Sequence, residues 1–212
     1  MDPEDARANN GVGVVLGQLG KPDAAIPYLQ KATRIDENFF EAYYNPGVLQ
    51  ARADRFNEAV DAWQNNIRIC PRFSQRHENL GYVFYLQARF TDSLTQLHLA
   101  LEEEPNRLFA LNLAASLLAT CPDSSIRNGA EALALADRAK QLTGGKNPAI
   151  LDTFSEALAE NGRFAQAIEV EQDALELAEK HSNPTLETKL NAHLASYAAN
   201  APIREAPNHA SF

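Results

Sequence analysis

The sequence predicts an all-α fold, a right-handed superhelical solenoid of about five helical hairpins closed by one further helix. Three observations predict it. Gly13, Gly47 and Gly81 stand 34 residues apart, and Ala25, Ala59 and Ser93 repeat the same interval. Apolar residues within each segment fall at i, i+3, i+4 and i+7, which draws one stripe along a helix. No segment alternates polar and apolar residues in the manner of a half-buried strand.

Each unit can be justified in turn. Residues 6–39, 40–73 and 74–107 follow one another without a gap. Phe56 and Phe90 open the second helices of two units, with Pro22 doing so in the first. Ala32, Asn66 and Ala100 share a later place, and the units close on Ile35-Asp36, Ile69-Cys70-Pro71 and Glu103-Glu104-Pro105. The glycines are expected mid-way along the first helices, where a missing side chain lets Ala25, Ala59 and Ser93 approach. The fourth unit, 108–147, has Ala115 in the glycine's place and a loop-like insertion near 121–129 (CPDSSIRNG) before a helix around Glu131 to Leu142. The fifth, 148–181, restores the register with Gly162, Phe164, Ala167 and Ala174. A closing helix at about 185–200 covers the apolar face of the last hairpin, as stacked repeats require. Residues 201–212, with two prolines and few apolar groups, read as a disordered tail. Residues 1–200 are thus expected to form a single solenoid.

Pro46 conflicts locally with this scheme. Inside a helix it removes one backbone bond and crowds the preceding turn. Either the first helix of the second unit kinks there, or it restarts at Pro46 with Asn45 as its N-cap.

The 34-residue pattern of Gly or Ala, then Ala, Ala and a closing Pro resembles the tetratricopeptide repeat, and the resemblance covers nearly the whole chain. It implies a superhelix whose concave wall is built from the first helix of each hairpin, and a role in holding another protein or peptide. The segment from Asn112 onward, with the closing YAANAPIRE, resembles the last repeats of large bacterial proteins of this kind. Met1-Asp2-Pro3-Glu4 falls on the closing places of a preceding repeat, so the chain reads as part of a longer array.

Composition narrows the function. A net charge of −9 supplies no basic stripe for nucleic acid. No run of 18 apolar residues is present, so no membrane-inserting helix is expected, and the compartment, cytoplasmic or periplasmic, stays open. The two cysteines, Cys70 and Cys121, lie far apart and build no disulfide framework or zinc site. No motif for a nucleophile elbow, a phosphate loop or a zinc protease occurs. His77, His98, His181, His193 and His209 are dispersed, with His77 and His98 expected on helix surfaces. Asp152, Glu156, Glu160, Glu169, Glu171, Asp173, Glu176 and Glu179 read as a solvated acidic face. The expectation is a chain that is not an enzyme and needs neither cofactor nor metal.

Binding residues should then lie on the first helices. Asn10, Tyr44, Asn45, Arg52, Gln75, Asn79, Tyr82, Tyr85, Phe109 and Asn112 are the candidates, with Val14 and Val48 between them. Asn45 and Asn79 hold the same place in successive repeats and can offer donor and acceptor to an extended peptide backbone; Asn10 and Asn112 lie one place off. Tyr44, Tyr82, Tyr85 and Phe109 supply apolar anchors. Lys and Arg are absent from the places where chaperone-binding relatives clamp a carboxylate. The expected partner is a protein or peptide. The alternatives are self-association through the N-terminal repeat face, Ala6 to Gly20, or an accessory arm of a bacterial glycosyltransferase or kinase.

Overall fold

The structure, a computed structural model, describes residues 5–65 and 73–205. Met1 to Glu4, Asn66, the Ile69-Cys70-Pro71 close of the second repeat and everything beyond Glu205 lie outside the described residues. The described chain is all-α, as the 34-residue period predicts. Its helices run α1 (Ala6–Gln18), α2 (Pro22–Ile35), α3 (Phe40–Arg52), α4 (Phe56–Asn65), α5 (Ser74–Leu86), α6 (Phe90–Glu103), α7 (Leu108–Thr120), α8 (Gly129–Leu142), α9 (Pro148–Glu160), α10 (Phe164–Lys180) and α11 (Pro184–Ala198). None is long and apolar enough to cross a membrane.

Local chemistry sets the ends of these helices. Asp5 caps α1 by accepting from the Arg7 and Ala8 amides, at 2.8 and 3.1 Å. Asn147 and Asn183 cap α9 and α11, each followed by proline at the first helical place. Four hairpin turns share one device. Gly20, Asp54, Ala88 and Gly162 take left-handed φ values of 70°, 57°, 56° and 72°. The next amide in each turn bonds back five residues: Lys21 to Leu16, Arg55 to Gln50, Arg89 to Phe84 and Arg163 to Leu158. That is the Schellman closure, normally given to glycine.

The chain divides into two compact units, residues 1–83 and 84–212, the division falling within α5. In the first unit α1 packs on α2, α3 on α4, and α2 and α1 on α3. A side chain at Gly13 would lie 2.6 Å from Leu29, and one at Gly47 would lie 2.3 Å from the Trp63 indole nitrogen. The groups nearest to Gly47 are thus those of Trp63. Trp63 donates to the Tyr44 carbonyl at 3.1 Å. Helix α3 runs unbroken from Phe40 to Arg52 with Pro46 inside it. Asn45 is consequently an interior residue and not an N-cap.

In the second unit α9 is the central element, touching α7, α8, α10 and α11. Residues 150–159 are buried all round, as is most of α7, so neither helix shows the one-sided stripe of a surface helix. Between α7 and α8 the inserted segment is tied down by Arg127. Its guanidinium donates to the Cys121 and Pro122 carbonyls at 2.7 and 3.2 Å and to Glu160 at 3.2 Å.

Candidate functional site

In the first unit two inter-repeat bonds join the predicted residues. Asn45 Nδ2 donates to Asn10 Oδ1 at 2.9 Å, and Asn79 Nδ2 donates to the Tyr44 hydroxyl at 2.6 Å. Both pairs are 35 residues apart, one more than the repeat. Asn10 stands one place off the repeat register, and that offset is what brings its amide to Asn45. Gln75 donates to Asn79 Oδ1 at 3.2 Å and to Glu78 at 3.0 Å. Tyr44 also stacks within an aromatic group, its ring 6.1 Å from Phe40, 5.1 Å from Phe73 and 6.2 Å from Trp63. Val14, Val48 and Tyr82 are half-buried, and Arg52 is exposed in the last turn of α3.

The remaining candidates belong to the second unit. Phe109 is a large apolar side chain that is 39% exposed. Asn112 and Tyr85 are half-buried. Burial, followed by the charges of Glu156 and Glu205, pushes the Tyr85 phenol up.

The second unit also holds a site that the sequence reading misassigned. Asp152, Glu156 and Glu171 are 3%, 2% and 0% exposed, so they form a buried charge network and not a solvated face. His193, expected to stand apart, lies among them. Its Nδ1 is 2.8 Å from Asp152 and 3.3 Å from Glu171, and its Nε2 is 2.9 Å from Glu205. The Lys189 ammonium lies 2.9 Å from Asp152 and 3.3 Å from Glu156. Ser116 donates to Glu156 at 2.8 Å, Ser155 donates to Glu171 at 2.5 Å, and Tyr197 lies 3.3 Å from Ser155. His77 is a further correction, being buried and not on a helix surface.

Two i, i+4 pairs generate this network: Asp152 and Glu156 on α9 meet Lys189 and His193 on α11. Complementary pairs at matching spacing on two helices are a signal that could have been read. The acidic run hid it, because Glu169, Asp173, Glu176 and Glu179 of the same run are exposed.

Electrostatics in the network follow from burial and pairing. Burial lowers the basicity of His193, but Asp152, Glu171 and Glu205 overcome it and push the imidazolium up to about 12. Burial acts on Lys189 the same way and is outweighed by Glu156, Asp152 and Glu205, which hold the ammonium charged. Burial raises Glu171 to about 8 and also raises Glu156. Asp152 goes down despite its burial, because His193 and Lys189 stabilise its charge. One donor atom each from Asp152, Glu156 and His193 lies within 4.8 Å of the others, a spacing that could hold a cation. Lys189 already supplies a positive charge there, so the donor set fits an internal ammonium.

A sequence profile of the tetratricopeptide repeat matches residues 6–39. No curated protein matches the chain in sequence. Among solved structures, YrrB, a tetratricopeptide-repeat protein with an unusual peptide-binding site, is similar at a TM-score of 0.70 and 19% identity, covering 90% of this chain and 94% of that one. MamA (41-end) from Desulfovibrio magneticus RS-1 superposes at 0.71 with 17% identity, over 85% of this chain and 97% of that one. A tetratricopeptide-repeat protein from Parabacteroides merdae reaches 0.75 at 14% identity, over 92% and 74%. At these identities the likeness establishes the fold, which is that of tetratricopeptide-repeat proteins.

Proposed function

We propose that this tetratricopeptide-repeat chain is a non-catalytic protein-interaction module that holds an extended peptide segment on the face carried by α1, α3 and the start of α5. The observation that carries this reading is the pairing of Asn45 with Asn10. The bond uses one Asn45 Nδ2 hydrogen and Asn10 Oδ1, which leaves the Asn45 Oδ1 acceptor and the Asn10 Nδ2 donors for a ligand backbone. Cross-bonding fixes both side chains, so less rotamer entropy is lost when a ligand arrives. Arg52, Gln75 and Tyr82 add polar and aromatic contacts, and Tyr85, Phe109 and Asn112 are a separate set on the second unit. A protein or peptide partner, and not a nucleic acid, fits a chain of charge −9. The test is capture of partners and of arrayed extended peptides by wild type and by an Asn45→Ala/Asn79→Ala/Tyr82→Ala variant of unchanged helicity. Ligands lost by the variant support the reading; identical capture by both overturns it.

Self-association is the second reading. Val15 and Leu19 of the first hairpin are 53% and 64% exposed, and a paired apolar edge of this kind suits a contact between copies. Light scattering decides it: a defined oligomer that Val15→Lys/Leu19→Lys dissociates supports self-association, and a monomeric wild type removes it.

A further inference from the structure

Residues 201–205 do not read as a disordered tail. After Asn200, whose φ is +54°, the chain continues without helix or strand and bonds to the ends of α7 and α9. The Glu205 amide donates to the Thr120 carbonyl at 3.1 Å. Arg204 donates to the Ala119 carbonyl at 3.2 Å and pairs with Glu160 at 2.7 Å. Ile203 packs against the core formed by α7, α8, α9, α10 and α11. The Glu205 carboxylate reaches His193 at 2.9 Å and Lys189 at 3.7 Å.

These contacts reproduce the way a protein grips an extended peptide. The last carbonyls of α7 have no helical partner, and a main-chain amide and a guanidinium satisfy two of them. The guanidinium also complements the negative end of the helix dipole. An apolar side chain anchors the segment, and a carboxylate meets two basic groups, the buried His193 and the half-buried Lys189. The receiving groups belong to α7, α9 and α11. The strap itself has no secondary structure, and its Arg204 and Glu205 side chains are 35% and 42% exposed.

We propose that the ends of α7 and α9, with Lys189 and His193 of α11, form a second peptide-docking site, filled in cis by Ile203, Arg204 and Glu205. In their place it accepts an extended segment of a partner protein that presents an apolar residue, then arginine, then a carboxylate. The strap is a built-in competitor, so partner affinity is set by the difference between two similar segments. This site uses none of the residues of the asparagine pair and stands independently of that reading.

The experiment measures fluorescence polarisation of a labelled peptide, NAPIREA, against the full chain. Wild type competes with itself and binds weakly. An Arg204→Ala/Glu205→Ala variant vacates the clamp and binds the peptide at least tenfold more tightly. Adding Glu160→Gln to that variant, or replacing the peptide's arginine by alanine, lowers affinity tenfold or more. An Asn45→Ala/Asn79→Ala variant leaves the binding unchanged. A folded strap variant that binds no better than wild type, or binding indifferent to Glu160 and the peptide arginine, overturns the proposal. Should the double variant lose helicity, Arg204→Ala alone is measured; if it also unfolds, the strap is an obligatory part of the core and the proposal falls.

Discussion

His193 on α11 and Asp152 on α9 stand 2.8 Å apart across 41 residues of sequence, with side chains only 3% and 4% exposed. The pair ties the last helix to the centre of its unit at a depth where an uncompensated charge is costly. Removing one partner of such a pair costs about 3–5 kcal/mol. Asp152→Asn keeps the shape and removes the charge, leaving His193 and Lys189 under-compensated. Urea unfolding of the second unit should show a loss of about 3 kcal/mol.

The same network makes stability depend on pH, and the sign is fixed. Glu171, raised to about 8, and His193, raised to about 12, both bind more protons folded than unfolded once the pH exceeds their unfolded values. His193 is faced by Asp152 and Glu156 of α9, Glu171 of α10, Lys189 and Tyr197 of α11, and Glu205. Stability therefore falls as pH rises, from about 4.5 to 8 through Glu171 and from about 6.5 to 12 through His193, both acting between 6.5 and 8, by up to about 1.4 kcal/mol per pH unit for each proton involved. Asp152 and Glu205, both lowered, act oppositely and lose their contribution in acid below the usual carboxylate range. Glu171→Gln should reduce the fall between pH 6.5 and 8, leaving the part due to His193, in thermal melts read at half-unit steps.

Ala88 and Asp54 occupy turn places that Gly20 and Gly162 fill elsewhere, all with left-handed φ. A side chain in that conformation is strained, and glycine is not. Ala88→Gly should stabilise the chain by roughly 0.5–1 kcal/mol. Gly162→Ala should lose a similar amount, since the space around Gly162 is open and only the backbone objects. Equilibrium denaturation of the two variants checks the opposite signs.

Gly47→Ala puts a methyl group 2.3 Å from the Trp63 indole nitrogen and forces the ring away from the Tyr44 carbonyl. The expected cost is about 1–3 kcal/mol. Trp63 is the single tryptophan of the chain, so its emission reports the displacement directly.

Pro46 deprives the Ala42 carbonyl of its partner within a helix that otherwise continues to Arg52. Pro46→Leu should raise the melting temperature, with a gain of up to about 3 kcal/mol; an equal or lower temperature would show that α3 has adapted to the ring.

The repeat was legible because close helix packing demands small residues, and a demand repeated every 34 residues survives in Gly13, Gly47, Ala25 and Ala59. The approach of Ala25 to Gly13 was legible, but the large side chain that lies nearest to each glycine was not. Gly47 answers to Trp63, sixteen residues on, because the larger side chain reaches across the hairpin. The paired asparagines were visible as a series, but not their mutual bonds, which depend on the stagger between neighbouring first helices. The buried network was hidden for a different reason. Asp152 and Glu156 share their spacing with exposed acids nearby, and only the arrival of α11 with Lys189 and His193 decides which carboxylates go inside. Residues 201–205 looked too polar to pack, yet Arg204 and Glu205 find charged partners in Glu160, His193 and Lys189.

The setting of Lys189 also governs its reactivity. An amine attacks an acylating reagent only through its neutral form, and Glu156, Asp152 and Glu205 hold this one as the ammonium. Lys180, exposed at the end of α10 and paired with Glu176 alone, has no such enclosure. Under limiting reagent the chain should be labelled at Lys180 well before Lys189, so acylation can decorate the second unit for imaging or immobilisation while its charged interior keeps its proton.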